Sequence, residues 1–465
     1  MENESKRLVN NIKYYTIGVF STRILAFLFI PIYSIYINPE ILGQFQYLNS
    51  ILLLIVPVLY QSIWEGMFRY SIVSKGREIE VINTTTKYCL GLTSIYVFIY
   101  FIFVIVYDLE YPIYIFLCGL SQMTISYWQF AARALKENKT YTLSTIVCSA
   151  ITLLSNVVLI IVFRLQIDAL FISFIAGSFG GVAILEWKLH LLKKSRVSII
   201  NKELLITIIK YSIPLSVNSI SWWLISSCNN IVVTNALGES SNGILAMAQR
   251  FGSIFALMTS IIAMAWQEES FRTLYNDDRD AYFNKILNLY TKALFSAVCV
   301  LIPLTFILYQ LMVFGEYRRG VAVVSMLYII GALNAIITHL GSAFLAKGES
   351  FVMFWTTLLA GILTVSLSIL LIGKFGLMGV MVATIISCII NFIIRVILLN
   401  KKIMLDCNYF QLVFFLVLSI VVSCLCEYIG FNFVLQVSIF AVLIIITVLL
   451  NKSIIKPVFC KILKR

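Results

Sequence analysis

Runs of about twenty apolar residues follow one another from Tyr14 to Leu450, separated by short polar or glycine-containing turns. A hydrocarbon layer of roughly 30 Å is crossed by a helix of about 20 apolar residues, and in lipid only helices or closed barrels satisfy every backbone polar group. Runs of this length predict helices. Of the 465 residues 60% are hydrophobic and 12% charged, and mean hydropathy is +0.95. A soluble domain is roughly 45–50% apolar and about 25% charged. The expectation is therefore an all-α polytopic membrane protein with about fourteen transmembrane helices, which would use about 280 residues and leave only short connections.

The runs place spans at about 14–37, 44–64, 88–107, 112–133, 141–163 and 169–189, two more within Tyr211–Arg272, then 293–313, 321–346, 351–373, 377–399, 409–428 and 431–450. One stretch echoes another. Tyr15 and Tyr211 each open an apolar helix, Gly43 and Gly243 each mark the turn into the next, and Phe68-Arg69 and Phe271-Arg272 close the units. The echo continues from Leu135–Lys139 to Ala346–Ser350, always near an offset of 200 residues. Charged loops at 65–87 and 268–292 fall at the same place in each copy. The chain reads as two six-span bundles, 1–200 and 201–402, followed by residues 403–465 with two additional spans and a basic tail. An even number of spans per copy makes the repeats parallel, related by an axis along the membrane normal, with substrate expected between them.

The net charge of +13 would suit nucleic acid, but its distribution excludes that partner. With the N-terminus placed in the cytoplasm, Arg164, Arg318, Arg319 and Lys374 are outside, Arg23 and Arg250 are within spans, and the other Lys and Arg residues are inside. This is the positive-inside asymmetry that orients membrane helices. The initial MENESKRLVNNIK precedes no small-residue cleavage site, so the first helix is expected to be retained. The ten cysteines are scattered singly, with neither metal-ligand spacing nor a disulfide framework, and no metal or cofactor is expected.

Several motifs resemble the oligosaccharide and polysaccharide-unit flippases (Wzx type) of the superfamily that includes the MATE exporters. NPEILGQF (38–45) resembles the turn after the first helix, YSIP (211–214) the start of the seventh, and LAKGES (345–350) and KFGLMGVMVAT (374–384) the connections around the eleventh and twelfth. ALGESSNG (236–243) is a looser second copy of the first turn. The resemblance covers almost the whole chain. It implies a MATE-like fold, a bacterial plasma (inner) membrane location with both termini cytoplasmic, and transfer of a polyprenyl-diphosphate-linked oligosaccharide from inner to outer leaflet. Polysaccharide polymerase and chain-length proteins are the partners it implies.

Charge inside a span is costly and usually faces a bundle interior or an aqueous cavity. Arg23 and Arg250 are the two arginines that qualify on position. A guanidinium stays charged and forks onto phosphate oxygens, the chemistry a diphosphate head requires. The alternative is snorkelling to the membrane surface. The seventh span is rich in polar residues, and Asn218, Trp222, Ser226 (or Cys228) and Asn229 recur at helical spacing on one face. Amides and an indole suit sugar hydroxyls and ring faces, while bonding between neighbouring helices is the competing role. His339 within the tenth span is a candidate for head-group contact or proton coupling. Glu65 with Arg69, and Glu268 and Glu269 with Arg272, sit at equivalent inner ends and form a candidate gate, or else ordinary solvated loop charges. Pro31, Pro57, Pro214 and Pro303 interrupt apolar spans and are expected to bend them.

The leading expectation is a flippase working by alternating access. A MATE-type cation antiporter needs intramembrane carboxylates, whereas the core charges read here are arginines. A lipid II flippase of the same fold differs in substrate more than in physics. An enzyme such as a polymerase is disfavoured by the short outer loops, and direct ATP use by the lack of a G-x-x-x-x-G-K-[ST] stretch.

Overall fold

The computed structural model describes residues 27–451 apart from 75, 198–199, 273–278, 348, 402 and 404. Among the described residues the regular structure is helical, with no strand. In chain order the helices are α1 (Ile30–Tyr36), α2 (Pro39–Leu59), α3 (Ile63–Val73), α4 (Glu78–Val106), α5 (Pro112–Ala134), α6 (Asn138–Val157) and α7 (Ile167–Leu189). They continue as α8 (Leu191–Val197), α9 (Lys202–Ser226), α10 (Cys228–Leu237), α11 (Glu239–Arg272) and α12 (Arg279–Met312). The last four are α13 (Val321–Ala346), α14 (Ser350–Asn400), α15 (Tyr409–Ile429) and α16 (Phe433–Leu450).

Eleven helices among the described residues are long and apolar enough to cross a membrane. One of these, α14, merges the two spans expected at 351–373 and 377–399: Gly376 bends it with φ 56° and ψ −139°, a conformation that residues with a Cβ rarely adopt. The 23-residue α5 lies outside those eleven. The first expected span falls largely among residues 1–26, outside the described residues.

The loop expected at 65–87 is mostly helical. Pro57 lies inside α2, and Gln61 (φ 53°) and Ser62 (φ 45°) then take left-handed backbone conformations that end it and start α3 in a new direction. The seventh span is divided too. It begins nine residues before Tyr211, at Lys202, and breaks at Ser227 into α9 and α10. Asn201 caps α9 by accepting from the Leu204 amide at 3.0 Å.

Packing groups the described residues into two units: 27–32 together with Gln44–Ile231, and Tyr33–Gly43 together with 232–451. These boundaries differ from those of the sequence repeat, because α9 packs on α3 and α4 while the turn after α1 packs with the second unit. In the first unit Tyr60, Met67, Tyr127 and Ala131 are core residues. The Tyr127 hydroxyl lies 2.8 Å from Thr85 Oγ1 and from Thr86 Oγ1, so its burial leaves no polar atom unsatisfied. In the second unit α13 packs between α11, α12 and α14.

Candidate functional site

A cavity of about 420 Å³ lies in the second unit. Its walls come from α11, α13 and the start of α14. Small residues create the space: Ala256 and Ala263 on α11, Gly331 and Ala335 on α13. Between them stand Thr259, Ser260 and Gln267 of α11 and Asn334, Thr338 and Ser342 of α13. The four hydroxyls donate to carbonyls of their own helices: Thr259 to Ala256 (3.0 Å), Ser260 to Leu257 (2.7 Å), Thr338 to Asn334 (2.8 Å) and Ser342 to His339 (2.7 Å). Each hydroxyl therefore keeps an acceptor lone pair, and the amides of Asn334 and Gln267 supply donors. No charged side chain is among the described lining residues. Such a wall is suited to a neutral ligand rich in hydroxyls.

Arg250 does not line this cavity. Its guanidinium lies over the Tyr33 ring, 4.2 Å from the centroid, a stacked cation–π contact. The surrounding turn is tied to the unit by Ser34 Oγ donating to the Met312 carbonyl at 3.2 Å and Tyr317 Oη donating to the Ile37 carbonyl at 3.1 Å. Arg250 itself is half-buried.

His339 is 3% exposed and lies behind the cavity wall. It stacks on Trp266, with ring centroids 4.2 Å apart and planes 12° from parallel, and also meets Phe283 and Tyr290 at 5.0 and 5.7 Å. Sequence reasoning missed Arg395, which it assigned to the inner surface. Arg395 is 2% exposed, and it donates through Nη1 to the Ile337 carbonyl (2.8 Å), Nε to Thr356 Oγ1 (3.1 Å) and Nη2 to Thr357 Oγ1 (3.0 Å). Its apolar neighbours Ile393, Ile394, Val396 and Ile397 were the available signal.

The polar residues of the seventh span belong to the first unit. Asn218 is half-buried, Trp222 is 48% exposed and Asn229 is 6% exposed. The break at Ser227 interrupts the single helical face that would carry all three. Their neighbours form bonds within that unit: Trp223 Nε1 donates to the Ser50 carbonyl at 2.7 Å, and Asn230 Nδ2 to Ser50 Oγ at 2.9 Å.

Glu65 and Arg69 share α3 but form no ion pair. Arg69 instead lies over the Tyr211 ring at 4.2 Å. Glu65 is half-buried, and loss of water raises its pKa above the ordinary carboxylate value. Arg23 and the side chains of Glu268 and Arg272 lie outside the described residues.

No family model matches the chain, and no curated protein does. Solved structures are similar in fold. An inward-facing multidrug resistance MATE family transporter of the MOP superfamily aligns with TM-score 0.65 and 14% identity over 83% of this chain and 99% of that one. The lipid II flippase MurJ in an inward closed conformation aligns with TM-score 0.67 and 15% identity over 95% of this chain and 99% of the other. An outward-facing MATE family transporter gives 0.59 and 14% over 85% and 95%. The chain is thus a multi-pass membrane protein with the MATE-like fold.

Proposed function

We propose that the chain is a flippase that moves a polyprenyl-diphosphate-linked oligosaccharide repeat unit from the inner to the outer leaflet of a bacterial plasma membrane, for assembly of a surface polysaccharide. The observation that carries this reading is the cavity between α11 and α13, walled by four hydroxyls and two amides with no acidic side chain among its described residues. A cation exporter would need a carboxylate there; sugar hydroxyls need acceptors and donors in alternation. The MATE-like fold supports alternating access by its two six-span halves, with both termini in the cytoplasm. Arg250, and Arg23 on the sequence reading, would meet the diphosphate, while the prenyl chain stays in lipid. A polymerase and chain-length proteins would act on the delivered unit.

A second reading, a lipid II flippase, is favoured by the MurJ alignment, which extends over 95% of this chain. Mass spectrometry of lipid extracts from cells with and without the gene tests both. Accumulation of a polyprenyl-diphosphate oligosaccharide in the inner leaflet is expected. Accumulation of lipid II alone would favour the second reading, and altered resistance to cationic dyes without lipid accumulation would overturn both.

A further inference from the structure

We propose that the cavity between α11 and α13 is a ladder of three polar rungs that selects a carbohydrate chain by length, each rung holding one pyranose of a linear oligosaccharide. This rests on the reading of the cavity as a sugar site and adds the size of the sugar it takes. The two helices run parallel and in register. A Cβ on Gly252 of α11 would stand 3.3 Å from Cβ of Leu327, and a Cβ on Gly331 of α13 would stand 2.9 Å from Cδ1 of Phe255. Residues of α11 are therefore level with residues of α13 that lie about 75 positions later in the sequence.

The same offset pairs the residues that line the cavity. Thr259 is level with Asn334, Ala263 with Thr338, and Gln267 with Ser342. Successive pairs are four residues apart on both helices, a step of about 6 Å. Every pair carries a polar group. The first and third set an amide beside a hydroxyl, and the second sets the Thr338 hydroxyl opposite the methyl of Ala263. Thr259, Thr338 and Ser342 each donate to a carbonyl of their own helix and so present a lone pair to the cavity, while the amides of Asn334 and Gln267 present N–H donors.

A pyranose lengthens a linear chain by about 5 Å, nearly one helical turn. Consecutive sugars thus stay beside consecutive rungs over the distance of about 12 Å from the first rung to the third. Beyond both ends the lining is apolar. Leu345 and Met353 follow the third rung, and Ala256 and Gly331 precede the first. A fourth ring would meet methyl and thioether groups, leaving its hydroxyls without partners, which opposes its entry.

Linear β-1,4-glucose oligomers of one to four residues are suitable probes, because they differ in length alone. Their affinity for the full-length protein in lipid nanodiscs is measured by ligand-observed NMR. Each added residue is expected to tighten binding about fivefold up to three residues, and the fourth by no more than about twofold. The Gln267→Leu/Ser342→Ala double variant lacks the third rung and should bind trisaccharide and disaccharide equally. Affinity that levels off at one or two residues or keeps climbing at four, binding of no oligomer, or a double variant that weakens every length alike overturns the ladder. The lipid analysis supplies a separate readout, since the accumulating lipid should carry at least three sugars. A lipid-linked mono- or disaccharide would overturn the ladder and leave the flippase reading standing. Absence of any accumulating lipid would remove the flippase reading, and the oligomer series would still decide the ladder.

Discussion

Gly43 and Gly243 press against the start of each other's helix. A Cβ on Gly43 would overlap the carbonyl oxygen of Glu239, and a Cβ on Gly243 would overlap that of Pro39. Each contacted residue lies four positions before the partner glycine, so the crossing of α2 and α11 is reciprocal. Asn242 Nδ2 adds a hydrogen bond of 2.8 Å to the Gly43 carbonyl. Small residues that let helix backbones touch are the usual means of close packing in membranes.

Alanine at either glycine should therefore force the helices apart. Overpacking of a close contact costs about 1–3 kcal/mol, and here the obstructing atom is backbone, which has no rotamer to adopt. Gly43→Ala and Gly243→Ala are each expected to lower the thermal midpoint of the purified protein. Because the two contacts form one crossing, the double variant should lose less than the sum of the single losses. A strictly additive loss would show that the two contacts act separately.

Arg395 holds α13 to both segments of α14, and its Nη1 leaves no room at Gly341, where a Cβ would lie 2.8 Å away. Arg395→Met removes three hydrogen bonds, while Thr356 and Thr357 keep the bonds they donate to the Met353 carbonyl. A loss of about 3 kcal/mol is expected, since bonds from a charged donor are worth about 1.5–3 kcal/mol each and methionine recovers part in packing. Arg395→Lys keeps the charge but lacks the planar fork, and should be rescued little. Thermal unfolding in detergent measures both.

Apolar runs made the helices legible, and the offset of 200 residues made Gly43 and Gly243 stand out. Their role was not legible, because turn glycines and crossing glycines look alike in one dimension; both lie inside helices, five residues from the start. The candidate cavity was missed for a different reason. Thr259, Ser260, Thr338 and Ser342 are ordinary in a membrane helix, and only the pairing of α11 with α13 gathers them. Arg395 was misplaced because distance from a helix end, not burial, is what a sequence displays.

Glu65 provides a pH-dependent test. Burial raises its pKa above the value in the unfolded chain, so folding favours the protonated acid. The sign follows: stability is greatest below the unfolded pKa and falls as pH rises through the folded one. Glu65→Gln should stabilise the protein at pH 7 and have little effect near about pH 4. Equal stabilisation at both values would remove burial of the charge as the cause.

Arg250 should be required for transport but dispensable for folding. Arg250→Ala is expected to give inner-leaflet accumulation of the lipid intermediate at normal protein level. Arg250→Lys keeps the charge and should retain partial activity, while losing the flat stacking on Tyr33. Tyr33→Leu should have an intermediate effect, since a cation–π contact contributes about 0.5–2 kcal/mol. Normal export in Arg250→Ala would end its assignment to the diphosphate.

The cavity assignment makes the sharpest distinction between a sugar and a cation. Asn334 offers an amide donor among hydroxyl acceptors, and its Oδ1 accepts from Cys388 Sγ at 3.6 Å. Asn334→Leu removes the donor without adding charge, and one lost hydrogen bond to a ligand should slow export about tenfold. Asn334→Asp keeps the size and the acceptor but introduces an anion. For a sugar-binding cavity it should be no better than leucine, because a donor becomes a second acceptor and the charge must be desolvated. For a cavity that takes organic cations the same change should improve export. Measuring lipid accumulation and cationic dye efflux side by side in Asn334→Leu and Asn334→Asp therefore separates the two chemistries: export impaired by both substitutions, with unchanged dye efflux, is the outcome expected of a carbohydrate head-group site.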